Sequence, residues 1–312
     1  NTPIPSTYAS GGNFLVSSAY YTNPVASYQI LDYVEFNGEI HKTKEAIVTH
    51  GAVLTSLYLN EADAKVYNTK TASYFNNSTA FPKTHELVLI GWDDAYDKSN
   101  FINKPKSNGA FIAQNSFGNS WGKEGFFYIS YEDVHILDQV YAITDFEKTQ
   151  NINTLLNYDA TGVTHYESYT GGDQKVGVGV VQFKAPTAKT LKRISVYVAE
   201  NATDLSLYYE KGTFANVLGK RKFVLIDLEK GFHTIDLPFT VTLKSNESFW
   251  IAAQYHGATS FIVPIEAPYP GVTYPMTANK GEGFIGDGKT FVDITTLRSK
   301  ASIAIRAHLF GQ

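Results

Sequence analysis

Residues 84–94, T-H-E-L-V-L-I-G-W-D-D, and residues 113–129, A-Q-N-S-F-G-N-S-W-G-K-E-G-F-F-Y-I, are the stretches from which the fold is read. The first is a short apolar run headed by a histidine, which predicts a buried strand over 86–92. The second closes in another predicted strand over 126–131, and a third is expected at 111–114. Between them, 93–109 is rich in Lys, Asn and Asp and reads as an exposed loop. Gly118, Gly122 and Gly125 punctuate the second stretch as turn residues do.

Upstream, Asn37-Gly38-Glu39 opens a predicted helix over Ile40–His50. Asn37 is placed to cap it, and Gly51 suits the left-handed position after its last turn. A strand over 52–59 follows, in which Val53, Thr55, Leu57 and Leu59 alternate with Leu54, Ser56 and Tyr58. Downstream, the polar run E-K-T-Q-N-I-N-T reads as a linker. Beyond it, strand-like runs recur at 176–183, 191–198, 205–209, 222–228, 233–237, 248–254, 261–265 and 302–308. Turn residues such as Glu229-Lys230-Gly231 and Gly286-Asp287-Gly288 separate them, and no helix is predicted. Many short strands with frequent turns predict a sandwich or barrel. The expected fold class is therefore α+β, with one domain over 1–147 and an antiparallel β-sandwich over 148–312.

The 312 residues suffice for two ordinary cores. A net charge of -4, with no long run of either sign, gives no reason to expect nucleic acid or an anionic membrane as partner. No stretch approaches the roughly 18 apolar residues of a membrane span, and no signal-peptide pattern opens the sequence. Cysteine is absent, which excludes disulfides and thiolate metal sites. The abundance of Tyr, Asn and Thr suggests a secreted or wall-associated bacterial protein. The histidines are scattered without metal-ligand spacing. Asp93, Asp94, Asp173, Asp287 and Asp293 form no D-x-D-x-D-G loop and read as solvated turn carboxylates.

The two opening stretches resemble papain-family cysteine peptidases. In that family a His heads a buried strand, and an Asn follows about one hairpin later in an N-S-x-G-x-x-W-G-x-x-G run. The resemblance implies that His85 is the acid/base and Asn115 its orienter. It implies that Phe117 stands where the family has a Trp shielding their hydrogen bond, and that Trp121 lies in the family register beside the substrate. The chemistry explains the residue types. A thiol attacks an amide as thiolate, an adjacent imidazole stabilises that form, and a side-chain amide fixes the imidazole's tautomer and orientation. No cofactor is required for this reaction.

A weaker match lies at Gly11-Gly12-Asn13. In the family such a glycine pair contacts the substrate backbone, where only glycine permits the close approach; an ordinary glycine turn is the alternative. Glu86, following His85, borders the pocket for the second side chain before the scissile bond. It is expected either to favour a basic or polar residue there or to face solvent.

In the family the nucleophilic Cys precedes the His by about 130–150 residues, which places it roughly 45–65 residues ahead of Asn1. The expectation is that an N-terminal chain or segment of the same precursor carries the Cys, and that this chain alone is inactive. Residues from about 150 onward, notably G-F-H-T-I-D-L-P-F-T-V-T-L and E-S-F-W-I-A-A-Q-Y, more loosely resemble the lectin-like sandwich that follows the peptidase domain in some bacterial cell-surface members. That resemblance implies a module for cell-wall glycan or protein anchoring, with a structural calcium; the alternative is a packing domain. Two functions therefore compete. One is a secreted or surface cysteine endopeptidase acting on protein or peptide substrates. The other is an inactive binding or adhesion protein that reuses the papain lobe.

Overall fold

A computed structural model of the chain describes residues 28–60, 65–148, 154–160, 162–169, 176–219, 221–256, 262–268 and 277–311. The chain divides into two compact units, one spanning Asp32–Asp145 and the other built mainly from Phe146–Gln312. Among the described residues no helix is long and apolar enough to cross a membrane.

The first unit contains most of β1 (Tyr28–Phe36), α1 (Ile40–His50), β2 (Val53–Leu57), β3 (Tyr67–Asn68), β4 (Ser73–Tyr74), β5 (His85–Asp93), β6 (Ala110–Gln114), β7 (Phe126–Ser130) and most of β8 (Val140–Lys148). They hydrogen-bond in the order β3-β4-β7-β6-β5-β2-β8-β1. Alternation sets the buried face. Val53 and Leu57 on β2, Leu87 and Leu89 on β5, Phe111 and Ala113 on β6, and Phe127 and Ile129 on β7 all enter one core. Helix α1 adds Ala46 and Ile47 to that core.

The ends of α1 differ from expectation on one side. Gly51 takes φ 85°, and its N–H donates to the Ile47 carbonyl, as a helix-ending glycine should. Asn37 is not the cap; that position is Glu39, without a side-chain hydrogen bond. Gly38 is held instead by its own N–H on the Leu137 carbonyl at 2.7 Å. A Cβ there would meet Val140 at 2.9 Å, so close packing and not capping fixes the entry to the helix.

The second unit is an antiparallel sandwich whose sheets remain open. One layer holds β13 (Thr203–Glu210), β14 (Arg221–Leu228), β16 (Ser248–His256), β11 (Gly177–Lys184), β18 (Gly283–Gly286) and β19 (Phe291–Asp293), in the order β14-β13-β16-β11-β18-β19. The other uses β15 (Gly231–Leu243), β12 (Lys189–Val198), β21 (Ile305–Phe310) and β9 (Thr154–Leu156) in that order, beside the three-stranded set β10 (His165–Ser168), β17 (Ile262–Glu266) and β20 (Ser302–Ile303). Leu205, Leu207, Phe249 and Ile251 from the first layer meet Leu191, Ile194, Ile235 and Leu309 from the second in a common core.

The run expected at 302–308 is two strands, β20 and β21, because Ala304 turns its N–H to the Pro264 carbonyl between them. The run at 233–237 extends to the full Gly231–Leu243. Among the described residues two single helical turns interrupt the all-strand expectation, a 3-10 turn at Phe214–Asn216 and α2 (Ile294–Leu297); Asp293 caps the latter by accepting from the Thr295 N–H at 2.9 Å.

Candidate active site

His85 is the first residue of β5 and pairs with Leu57 of β2. Asn115 follows β6, the neighbour of β5 on the other side, and is 7% exposed. The pairing of β5 with β6 slips by one residue between Leu89 and Gly91. The two side chains, thirty positions apart, meet: His85 Nε2 lies 2.8 Å from Asn115 Oδ1.

That oxygen is identified independently, because it also accepts the Ser116 backbone N–H at 2.8 Å. An acceptor on Asn115 makes Nε2 the protonated, donating nitrogen of His85. Nδ1 is then left to meet a reacting group. Asn115 Nδ2 is buried and has no hydrogen-bond partner among the described residues.

Asn115 owes its place to the glycine turn. Its N–H donates to the Gly125 carbonyl at 2.9 Å, and Gly125 N–H returns to Trp121 O at 2.8 Å. Gly118, Gly122 and Gly125 take φ of 85°, 61° and 91°. At Gly122 a Cβ would also stand 2.5 Å from the Phe126 carbonyl oxygen, so both conformation and space demand glycine. Gly122→Ala is accordingly expected to cost about 1–3 kcal/mol. Its urea midpoint against that of the parent checks this.

Phe117, 40% exposed, lies against the imidazole with ring centroids 5.1 Å apart. Trp121 is wedged among aromatic rings, stacked on Tyr67 at 5.2 Å and edge-on to Phe117 and Phe127. Glu86 is exposed and stands opposite Ser56 in the sheet register. Partial burial raises its carboxyl above the usual range, against the pull of Lys83 and His85. Gly11, Gly12 and Asn13 lie outside the described residues.

Asp287 accepts the N–H groups of Lys289 and Thr290 within its turn, and Asp293 serves α2 and the Gly281 N–H. Asp173 lies outside the described residues. Among the described residues no three His, Asp or Glu side chains gather as metal ligands.

A buried carboxylate ties the segment upstream of His85 to the turn after β7. Asp133, buried, accepts the N–H groups of Asn76, His135 and Ile136 at 3.0, 3.0 and 3.2 Å. Burial pushes its carboxyl up to about 6, despite those hydrogen bonds and His135. No sequence motif marks it, because its partners lie more than fifty positions upstream or on its own turn.

Comparison with known proteins accords with this geometry. The family described as papain family cysteine protease matches residues 16–144, and the lectin like domain family matches residues 155–308. The chain is similar in structure to the clostridial cysteine protease Cwp84 after propeptide cleavage, with a TM-score of 0.79 and 21% identity over 91% of this chain and 71% of that one. It is likewise similar to the cysteine protease and lectin-like domains of Cwp84, a surface layer associated protein of Clostridium difficile, with a TM-score of 0.77 and 21% identity over 92% of this chain and 64% of that one. At this identity the likeness is one of fold. No curated protein matches the chain in sequence.

Proposed function

The chain joins a papain-family cysteine protease unit, residues 16–144, to a lectin-like domain, residues 155–308, and from that premise we propose that it is the His- and Asn-bearing part of a surface cysteine endopeptidase. The thiol is supplied from outside these 312 residues, which contain no cysteine.

In this reading the thiolate attacks the scissile carbonyl carbon, and protonated His85 gives its proton to the departing amine. A thioester remains. Water then attacks it, His85 takes up the water's proton, and the sulfur leaves as thiolate with the carboxylic acid, which restores the thiolate–imidazolium pair. Asn115 holds the ring so that Nδ1 faces the thiol, and Phe117 covers the ring. The observation that carries the reading is the 2.8 Å contact of His85 Nε2 with an Asn115 oxygen already committed as acceptor to Ser116. The reading puts the chain at a cell surface, as Cwp84 is described as surface layer associated, and gives the lectin-like domain the role of holding wall glycan or protein.

The test is an intact-mass measurement with and without an epoxysuccinyl thiol probe, paired with peptide hydrolysis. The 312-residue chain alone is expected to gain no adduct and to hydrolyse nothing. With the thiol-bearing part of the precursor present, that part gains the probe's mass and hydrolysis appears. Hydrolysis by the lone chain, or none by the thiol-complete protein, overturns the reading. The second outcome favours a binding protein on a papain scaffold.

A further inference from the structure

The chain between β4 and β5, residues 75–84, delivers His85 to the head of its strand. From Thr79 to Thr84 every residue is exposed, so burial does little to hold this stretch. Pro82 in its middle has no N–H to offer. Hydrogen bonds set its path instead. At one end Asp133 accepts the Asn76 N–H at 3.0 Å, and the Asn76 carbonyl accepts the Val134 N–H at 3.1 Å. At the other, the Thr84 N–H donates to the Leu57 carbonyl at 2.9 Å, and Thr84 Oγ1 accepts the Leu59 N–H at 3.1 Å.

Between these anchors a side chain reaches in from the turn after β7. His135 Nε2 lies 3.0 Å from the Phe81 carbonyl oxygen. A carbonyl only accepts, so Nε2 is the donor. The turn aims the ring: the His135 N–H donates to buried Asp133 at 3.0 Å, and Nδ1 lies 3.0 Å from Asp138 Oδ2. The Phe81 ring also stacks on Tyr58, with centroids 4.7 Å apart. Only Pro82, Lys83 and Thr84 separate Phe81 from His85.

His85 depends on this support. Among the described residues β6 pairs with β5 from Val88 onward, so His85 meets β2 on one side and no strand on the other. Asn115 is fixed separately, by the Gly125 carbonyl. The 2.8 Å contact between the two side chains therefore depends on where the backbone enters at His85.

We propose that His135 is a positioning residue for His85: its hydrogen bond to the Phe81 carbonyl fixes the path of 76–84 and so keeps the His85 imidazole on Asn115. The proposal rests on the reading of His85 as acid/base and adds to it a residue that acts through His85.

Two conservative variants separate this bond from general support of the turn. His135→Gln puts an amide nitrogen where Nε2 stands and keeps the donor to Phe81. His135→Asn puts one where Nδ1 stands and keeps only the Asp138 partner. The first readout is NMR of the 312-residue chain isotope-labelled at histidine, which follows exchange of the His85 Nε2 proton with water. His135→Asn is expected to speed that exchange by up to about tenfold, the range one lost hydrogen bond supplies, and His135→Gln to stay within about twofold of the parent. Backbone amides of β5 and β6 keep their protection in both. The second readout is peptide hydrolysis by the thiol-complete protein. His135→Asn is expected to lower kcat by about tenfold with KM little changed, because the placement of the imidazole matters to the transition state; His135→Gln restores most of the loss. The proposal falls if His85 exchange is the same in the parent and both variants, or if both variants speed it equally. It falls too if β5 and β6 lose protection together with His85, which would make His135 a support of the whole sheet. Failure of the peptidase reading shows separately, as absent hydrolysis in the thiol-complete parent, and the exchange measurement still decides the role of His135.

Discussion

His85→Ala in the thiol-complete protein is expected to lower kcat/KM for peptide hydrolysis by at least about 10³-fold. A free thiol is mostly protonated at neutral pH, so without the imidazole both the nucleophile and the proton for the leaving amine are lost. Asn115→Ala should cost less, on the order of 10²-fold, because the imidazole remains but can turn away from the thiol. Asn115→Asp separates orientation from simple structural support. The carboxylate still accepts from His85 Nε2 and from the Ser116 N–H, so most activity should remain. Its negative charge favours the protonated imidazole, so the alkaline limb of the pH–rate profile should move to higher pH. A merely structural Asn115 would leave that limb in place. If His85→Ala keeps activity within tenfold of the parent, His85 is not the acid/base.

The second large effect is acid destabilisation of the lectin-like unit through His308. This side chain is fully buried on β21, in the second unit's strand pair with β12. Its Nε2 meets Ser195 Oγ at 2.6 Å, and Ser195 Oγ in turn meets Thr234 Oγ1 at 2.8 Å. Nδ1 has no partner among the described residues. Burial chiefly, then the Arg193 and Arg306 cations, with Asp236 opposing, bring its pKa down from 6.5 to about 4. Between those values the unfolded chain binds the proton and the folded one does not. Stability from this group is therefore complete above pH 6.5 and falls as pH drops towards 4. At about 1.36 kcal/mol per unit, the loss is on the order of 3 kcal/mol.

Asp159 in the same unit acts in the opposite direction. Burial raises its carboxyl to about 6, against the attraction of Arg306, whose Nε donates to it at 2.9 Å. Its favourable contribution is complete below its ordinary 3.8 and is lost as pH rises through about 6. The two trends oppose each other in the parent protein. His308→Gln, which keeps a donor for Ser195, should remove the acid loss and leave the Asp159 trend visible. Hydrogen exchange of the β12 and β21 amides, measured from pH 4 to 7 and corrected for intrinsic rates, reads this locally. Identical pH dependence in parent and variant would show that His308 does not titrate between the two states.

Much of the architecture can be read from local pattern. Leu87 and Leu89 alternate with Glu86 and Val88, and the structure places the former in the core. Gly51 could be placed after a helix because a left-handed residue there is a local matter of backbone sterics. The expected cap failed for the converse reason. Asn37 has the right side chain, but the chain enters the helix along a path set by Gly38 against Val140 and Leu137, a hundred positions away. Strands such as β1 and β8 were missed because their burial patterns are mixed. Pairing with neighbours, which a single sequence does not display, makes them strands.

What the sequence determined by itself was the chemical inventory: a histidine ahead of an apolar strand, an amide opening a glycine-punctuated turn, and no thiol. Those features rest on residue identity and on short-range sterics. Tertiary structure alone decided which nitrogen of His85 donates, because that follows from Asn115 Oδ1 being shared with the Ser116 N–H. It alone brought the His135 ring to the Phe81 carbonyl ahead of the His85 strand, and it buried His308 where protonation is unfavourable. Each of these depends on contacts between groups tens of residues or more apart in the chain, where packing and desolvation, and not local propensity, fix the outcome.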